Sequence, residues 1–390
     1  VKTNLFHYEL PEDLIAQVPL KNRNESRLLV CNSKQKSIFD KNFNELPEVL
    51  NNIFKLKENN SKVLLIANNS RVYPARVRIR RKTGARGEVF FLEKGIKTQY
   101  KCLLRPKSKL KINEILYADN DKEIPLFKVT NFDPPMVSLV DDRSLDHILD
   151  EFGEMPLPPY IQRDPQKNKA NINLDNERYQ TVYSNINEKG SAAAPTAGLH
   201  FTPEIMEKCQ NENVEFGYVT LHVGLGTFLP VQSQDIHDHE MHEEYYFISE
   251  ELSEKLNRFL ENEWPIVFVG TTSLRAIESY FRYIFPDQNK NKIMKLASEK
   301  KLKSILNNEI NKWIPTKIFI YPEYKNHQII PLIGNAIITN FHQPESTLAM
   351  LIAALMGFDF WKEFYNYAIE KKYRFFSYGD SSLLVFGANF

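Results

Sequence analysis

Apolar positions along the chain fall into two textures. Between about 75 and 140 they come in short runs, RVRI, EVFFL, YKCLL, LKINEILY, PLFKVTNF and PMVSLV, separated by polar, Gly- or Pro-containing turns. Short runs punctuated in this way predict a small antiparallel β-barrel. On either side, VLLIA (63–67), IVFVG (266–270), AIIT (336–339) and LLVFG (383–387) are unbroken by polar residues. Strands with no polar face are buried on both faces, which predicts a mainly parallel sheet flanked by helices. The helices announce themselves by their starts: Ser144 before LDHILDEF, Thr202 before PEIMEKC with Pro203 in the first turn, then Ser249, Ser273 and Ser346, the last helix stopping at Gly357. The expected class is therefore α/β with an inserted barrel: 1–74 and 153–390 make a discontinuous α/β domain, and 75–152 is the insert. GEMPLPPYI (153–161) is too rich in Pro for a regular element and predicts a hinge back into the α/β domain. The Asn- and Lys-rich stretch 287–312 predicts a surface insertion with one or two short helices.

Composition narrows the class. The 390 residues hold 50 Lys and Arg against 49 Asp and Glu, and three cysteines, Cys31, Cys102 and Cys209, with no CxxC spacing. A disulfide framework, a zinc ribbon and an iron–sulfur cluster are not expected, and a reducing cytoplasm fits. The longest apolar run, Leu348 to Phe358, spans 11 residues, too few for a membrane span, and the N-terminal stretch has no signal-peptide pattern. Net charge is +1, but between Arg71 and Lys111 there are 14 Lys and Arg against Glu88 and Glu93. That asymmetry predicts a polyanionic partner. Arg76, Arg78 and Arg80 alternate with Val77 and Ile79, so one strand face carries the guanidinium groups. They and Arg71 are the expected nucleic-acid contacts.

Three buried runs lead straight into polar segments: NNSR (68–71), TTSLR (271–275) and NFHQPEST (340–347). In an open α/β sheet these strand ends and the following helix starts face one crevice. YVTLHVGLGTF (218–228) adds His222 with Gly224 and Gly226, but lacks the third glycine of a dinucleotide fingerprint. SAAAPTAGLHFTPE (191–204) packs small residues ahead of His200 and a helix start. HDHEMHEE (237–244) imitates a metal cluster but matches no catalytic zinc motif, and an acidic loop accounts for it. Arg275 and Glu278 are three apart on a helix, a spacing shared by ordinary surface ion pairs.

Taken together, YELPEDLIAQVPL (8–20), GEMPLPPYI, ERYQTVY (177–183), AAPTAGLHFT (193–202), YVTLHVGLGTF, VGTTSLRAIES (269–279), TNFHQPESTL (339–348) and YRFFSYGD (373–380) resemble the S-adenosylmethionine:tRNA ribosyltransferase-isomerases of the queuosine pathway, in order and over nearly the whole chain. The resemblance implies transfer and isomerisation of the ribosyl part of S-adenosylmethionine onto 7-aminomethyl-7-deazaguanine at the wobble position of tRNA. The products are then epoxyqueuosine, adenine and methionine. It implies S-adenosylmethionine as co-substrate, no metal, tRNA as partner, and a cytoplasmic monomer. His222, His200 and His342, with Glu278 and Asp380, are the expected acid–base groups. Thr196, Gly198, Gly224, Gly226, Thr271, Thr272, Ser273, Arg275 and Asn340 are expected around S-adenosylmethionine, with the helix start at Thr271–Ser273 taking its ribose or its carboxylate. Phe376 and Tyr378 are expected to stack on a splayed base. Two rival readings are an RNA methyltransferase, which would release S-adenosylhomocysteine, and a non-catalytic RNA-binding protein.

Overall fold

A computed structural model describes the chain to residue 386 except for 59, 92–98, 120–122, 164–168, 225–230, 232 and 326. Its main sheet has nine strands, in the order Trp313–Thr316, Glu244–Phe247, Val214–His222, Val63–Asn68, Ile266–Val269, Ala336–Asn340, Ser381–Val385, Arg27–Asn32 and Ser37–Asn42. The run from Val214–His222 to Ala336–Asn340 is parallel. At the flanks the pairings turn antiparallel, save for Arg27–Asn32 beside Ser381–Val385. The sheet is thus mixed with a parallel centre.

The unbroken apolar runs are these central strands, and alternation sorts their side chains onto two cores. Leu64, Ile66, Ile266, Phe268 and Ile337 pack on one face beneath the helices Glu250–Glu261, Thr271–Ile284, Thr347–Met356 and Phe358–Glu370. Val63, Leu65, Ala67, Val267, Val269 and Ile338 pack on the other beneath Leu46–Phe54 and Pro203–Asn211. Capping oxygens start the helices as expected at Ser144, Thr202, Ser249 and Ser346. The helix expected from Ser273 instead starts at Thr271. Gly270, at φ +88°, is its cap residue, and the Ser273 hydroxyl bonds back to the Val269 carbonyl. A strand that turns at once into a helix needs a backbone only glycine adopts freely, and that requirement outranks a side-chain cap.

The stretch 287–312 forms two short helices, Lys290–Ser298 and Leu302–Leu306. It is less superficial than expected. Ile293, Ala297, Leu302 and Leu306 are buried in the first core, and the Tyr280 hydroxyl donates to the Leu306 carbonyl.

The second sheet closes on itself. Arg76–Arg81, Arg86–Phe91, Tyr100–Arg105, Pro135–Leu139, Pro125–Phe132 and Ile115–Ala118 follow in that order, and the last pairs back with the first. Val77, Ile79, Val89, Phe91, Phe127 and Val129 fill the barrel. Arg76, Arg78 and Arg80 lie outside, as alternation requires, while Arg81 ends the strand on the other face; each meets an acid: Glu88, Glu154, Asp119 and Glu114 respectively. All but Glu88 lie outside the 71–111 window, so part of the positive charge counted there is answered by carboxylates folded in from beyond it. Gly153–Glu154 pairs antiparallel with Val77 and Arg76 as the chain leaves the barrel.

Candidate functional site

At the carboxyl ends of Ile266–Val269 and Ala336–Asn340 lies a cleft of about 630 Å³, part of it open to solvent. Ala194–Ala197 forms one wall, the helix start Gly270–Thr272 the floor, and Thr339–Gln343 with Ser346 the opposite wall; Tyr160, Phe376 and Ser377 overhang it. Two of the polar strand ends therefore converge here as expected. Among the described residues, none of the side chains lining the cleft is a carboxylate, Lys or Arg.

His342 is the one expected acid–base residue that lines the cleft. Its Nε2 lies 2.9 Å from the Thr339 hydroxyl. Its backbone is pinned on both sides, the N–H donating to the Tyr365 hydroxyl and the carbonyl accepting from Tyr8. Desolvation pushes its pKa down to about 3, so the ring is neutral at physiological pH.

His200 is buried behind the cleft wall. Its Nδ1 is 2.8 Å from the Ser26 hydroxyl and its Nε2 is 3.2 Å from Asn340 Nδ2. Burial first, then Arg23 and Arg374, lowers its pKa to about 3. His222 is not in the cleft lining; its ring is tilted against that of Trp313 at 4.5 Å between centroids, its pKa lowered by burial to about 4. Both Asp380 oxygens accept backbone N–H groups, from Arg27 at 2.9 Å and Arg374 at 2.8 Å. Burial raises its carboxyl pKa despite those bonds. Glu278 is consumed in the same way by the Arg282 side chain at 2.8 Å and the Leu332 N–H at 3.0 Å.

Of the residues expected around the co-substrate, Thr196, Thr271, Thr272 and Asn340 line the cleft. Ser273 faces the preceding strand. Gly198 serves packing: a Cβ there would lie 1.9 Å from the Tyr183 hydroxyl oxygen. The Gly224 N–H donates to Glu244, and Gly226 lies outside the described residues. Arg275 does not pair with Glu278. It is buried against Glu244 at 2.6 Å, and its Nε and Nη2 have no partner among the described residues. The sequence pattern places Glu244 in an acidic loop; it is the buried first residue of the strand Glu244–Phe247, whose EYYF run is the signal that marks this.

Among the expected RNA contacts, Arg71 is half-buried in a short ribbon with Lys189–Ser191. Tyr378 is a core residue whose hydroxyl donates to Asp175 at 2.8 Å. Phe376 does reach the cleft, at φ +69°, with its ring 4.7 Å from that of Tyr160. A left-handed backbone at a bulky residue is strained and is held by its surroundings. Tyr160 itself was missed, because the Pro-rich segment around it reads only as a hinge.

Comparison with known proteins bears on what this cleft does. The family model described as queuosine biosynthesis protein matches residues 3–384. The S-adenosylmethionine:tRNA ribosyltransferase-isomerase of Clostridioides difficile (strain 630) is 39% identical over 386 residues, 98% of this chain and 100% of that protein. The protein of the same name from Thermotoga petrophila is 39% identical over 392 residues, 99% and 100% of the two chains. A crystal structure of S-adenosylmethionine tRNA ribosyltransferase from Thermotoga maritima matches 97% of this chain and 99% of its own at 28% identity and a TM-score of 0.47.

Proposed function

The chain belongs to the queuosine biosynthesis protein family, and from that premise we propose how its cleft carries the reaction of an S-adenosylmethionine:tRNA ribosyltransferase-isomerase. The protein is a transferase and isomerase that takes its ribosyl group from S-adenosylmethionine and delivers it to tRNA. The acceptor is the aminomethyl group of 7-aminomethyl-7-deazaguanine at the wobble position, and the products are epoxyqueuosine in the tRNA, adenine and methionine.

The sulfonium makes the C5′ protons acidic. A base takes one, the resulting ylide drives ring opening with loss of adenine, and the aminomethyl nitrogen captures the sugar. Epoxide closure then expels methionine as a neutral thioether. Every step moves a proton or a leaving group, so the scheme assigns no role to a metal. His342 is the acid–base group of this scheme, for one reason: it alone of the expected candidates borders the cleft, whereas Asp380, Glu278 and His200 have their polar atoms engaged elsewhere. With a lowered pKa it acts as a neutral imidazole, and Thr339 fixes its ring. Tyr160 and Phe376 form an aromatic roof under which a flipped base can stack. Residues 75–152 act as an inserted tRNA-contacting domain of a cytoplasmic monomer.

The test is incubation with S-adenosylmethionine and tRNA bearing the aminomethyl base, followed by mass spectrometry. Free adenine with a matching gain in tRNA mass is expected. S-adenosylhomocysteine in its place would mean methyl transfer and overturn the scheme.

A further inference from the structure

The cleft contains two polar side-chain atoms that are buried and have no partner among the described residues. One is the hydroxyl of Thr272, in a residue 7% exposed; the other is the amide oxygen of Asn340, 3% exposed. Both residues line the same cleft. A buried polar atom without a partner is destabilising, so two in one cavity call for a ligand that satisfies both.

The orientation of Asn340 is fixed by its neighbours. The Asp380 backbone carbonyl, 3.3 Å away, can only accept, so the amide nitrogen faces it. That nitrogen also donates to His200 Nε2, which makes Nε2 the unprotonated nitrogen of the ring and leaves Nδ1–H to donate to the Ser26 hydroxyl. The chain Ser26, His200, Asn340 therefore holds Oδ1 as a free acceptor, suited to an N–H donor. Across the cleft, the helix Thr271–Ile284 begins on a glycine with no side-chain cap, and its first internal bond is from Leu274 N–H to the Gly270 carbonyl. The N–H groups of Thr271, Thr272 and Ser273 have no intrahelical acceptor, and the helix dipole favours an anion beside them. The neighbouring helix at Ser346 spends its cap on its own Ala349 N–H.

We propose that this floor is the subsite for the α-amino acid end of S-adenosylmethionine: the carboxylate sits on the N–H groups and hydroxyl at Thr271–Ser273, and the ammonium donates to Asn340 Oδ1. The assignment rests on the reading that S-adenosylmethionine occupies this cleft. It decides between ribose and carboxylate at the helix start. The carboxylate is the only anion S-adenosylmethionine carries, and among the described residues the cleft lining offers it no Lys or Arg. For the ammonium these residues offer no Asp or Glu, and the Asn340 carbonyl oxygen serves in their place. His200 is a positioning residue in this scheme, acting through Asn340.

Calorimetric binding of S-adenosylhomocysteine and 5′-methylthioadenosine to the full chain separates the possibilities, because the two share adenosine and sulfur and differ in the amino acid end. The wild type is expected to prefer S-adenosylhomocysteine by at least about tenfold. Thr272→Val, which breaks no bond of the free protein, and Asn340→Ala should each weaken that ligand by about tenfold and leave methylthioadenosine unchanged. His200→Gln should narrow the same ratio, a readout that a general loosening of the fold would not move. Thr272→Val also guards against misfolding, since removing an unpaired buried hydroxyl should keep or raise the melting temperature. Equal weakening of both ligands, or of neither, overturns the subsite. Wild-type protein that binds both ligands equally also overturns it while leaving S-adenosylmethionine in the cleft, whereas wild type that binds neither overturns the reading on which it rests.

Discussion

His200, His222 and His342 are all held neutral by burial, and that sets how the protein answers to acid. Each has a folded pKa below the ordinary 6.5, at about 3, 4 and 3. Between that value and 6.5 the unfolded chain binds the proton and the folded chain does not. Stability is therefore fully present above pH 6.5 and falls as pH drops through the window, by up to ~1.4 kcal/mol per pH unit for each group. Urea midpoints taken from pH 7 to pH 4.5 should fall steadily, and His222→Gln should flatten part of the slope. The same lowering bears on activity: the pH profile of turnover should show no inflection near 6.5 from His342, and one that disappears in His342→Gln would contradict the neutral-imidazole role. Glu278→Gln, by contrast, should lose stability through its Arg282 contact and keep turnover at fixed temperature, measured below its melting point.

At the scale of elements, the joint between strand Ile266–Val269 and helix Thr271–Ile284 concentrates what the site needs. Gly270→Ala forces φ +88° on a residue with a Cβ and should cost about 1 kcal/mol or more in unfolding free energy, with S-adenosylmethionine binding weakened as the helix start shifts. On the strand that precedes it in sequence, Glu244→Ala leaves Arg275 buried and unpaired and should cost about 3–5 kcal/mol by denaturant titration. These two elements show what could and could not be read in advance. The strand was legible as IVFV because both its faces are buried, and the polar TTS after it begins in the cleft lining, with Thr271 and Thr272. The helix start was misplaced at Ser273, because local capping preference ranks Ser above Gly and ignores the turn the strand imposes. The Arg275 pairing was misread because helical spacing offers Glu278, while Glu244 comes from a strand 31 residues earlier and only the sheet brings it near. Likewise nothing in the run YRFFSYGD distinguishes Phe376, which lines the cleft, from Tyr378, which faces Asp175. Strand alternation predicted which way Arg76, Arg78 and Arg80 point, but not which carboxylates would meet them.

For the molecule as a whole those carboxylates redirect the expectation about tRNA. Arg78 and Arg80 are only partly exposed and already paired, so reversing them should disturb the barrel as much as any phosphate contact. Lys107 and Lys109, on an exposed turn of the same barrel, are the better probes. The double substitution Lys107→Glu, Lys109→Glu should weaken tRNA binding across sequences and reduce the slope of log affinity against log salt by about 2, with the melting temperature unchanged. An unaltered slope would remove this turn from the RNA surface. The way the barrel is tied in has a consequence of another kind. Gly153 lies directly opposite Val77, and Glu154 opposite Arg76, so the outgoing chain runs beside the incoming one, roughly 5 Å apart as paired strands are. A gap that narrow is one a tight turn spans. The barrel is in effect a cassette with both ends at a single doorway: it can be cut out and the remainder rejoined by a two-residue turn, or spliced into a host loop of matching width, so the proposal that it holds RNA can be tested apart from the chemistry.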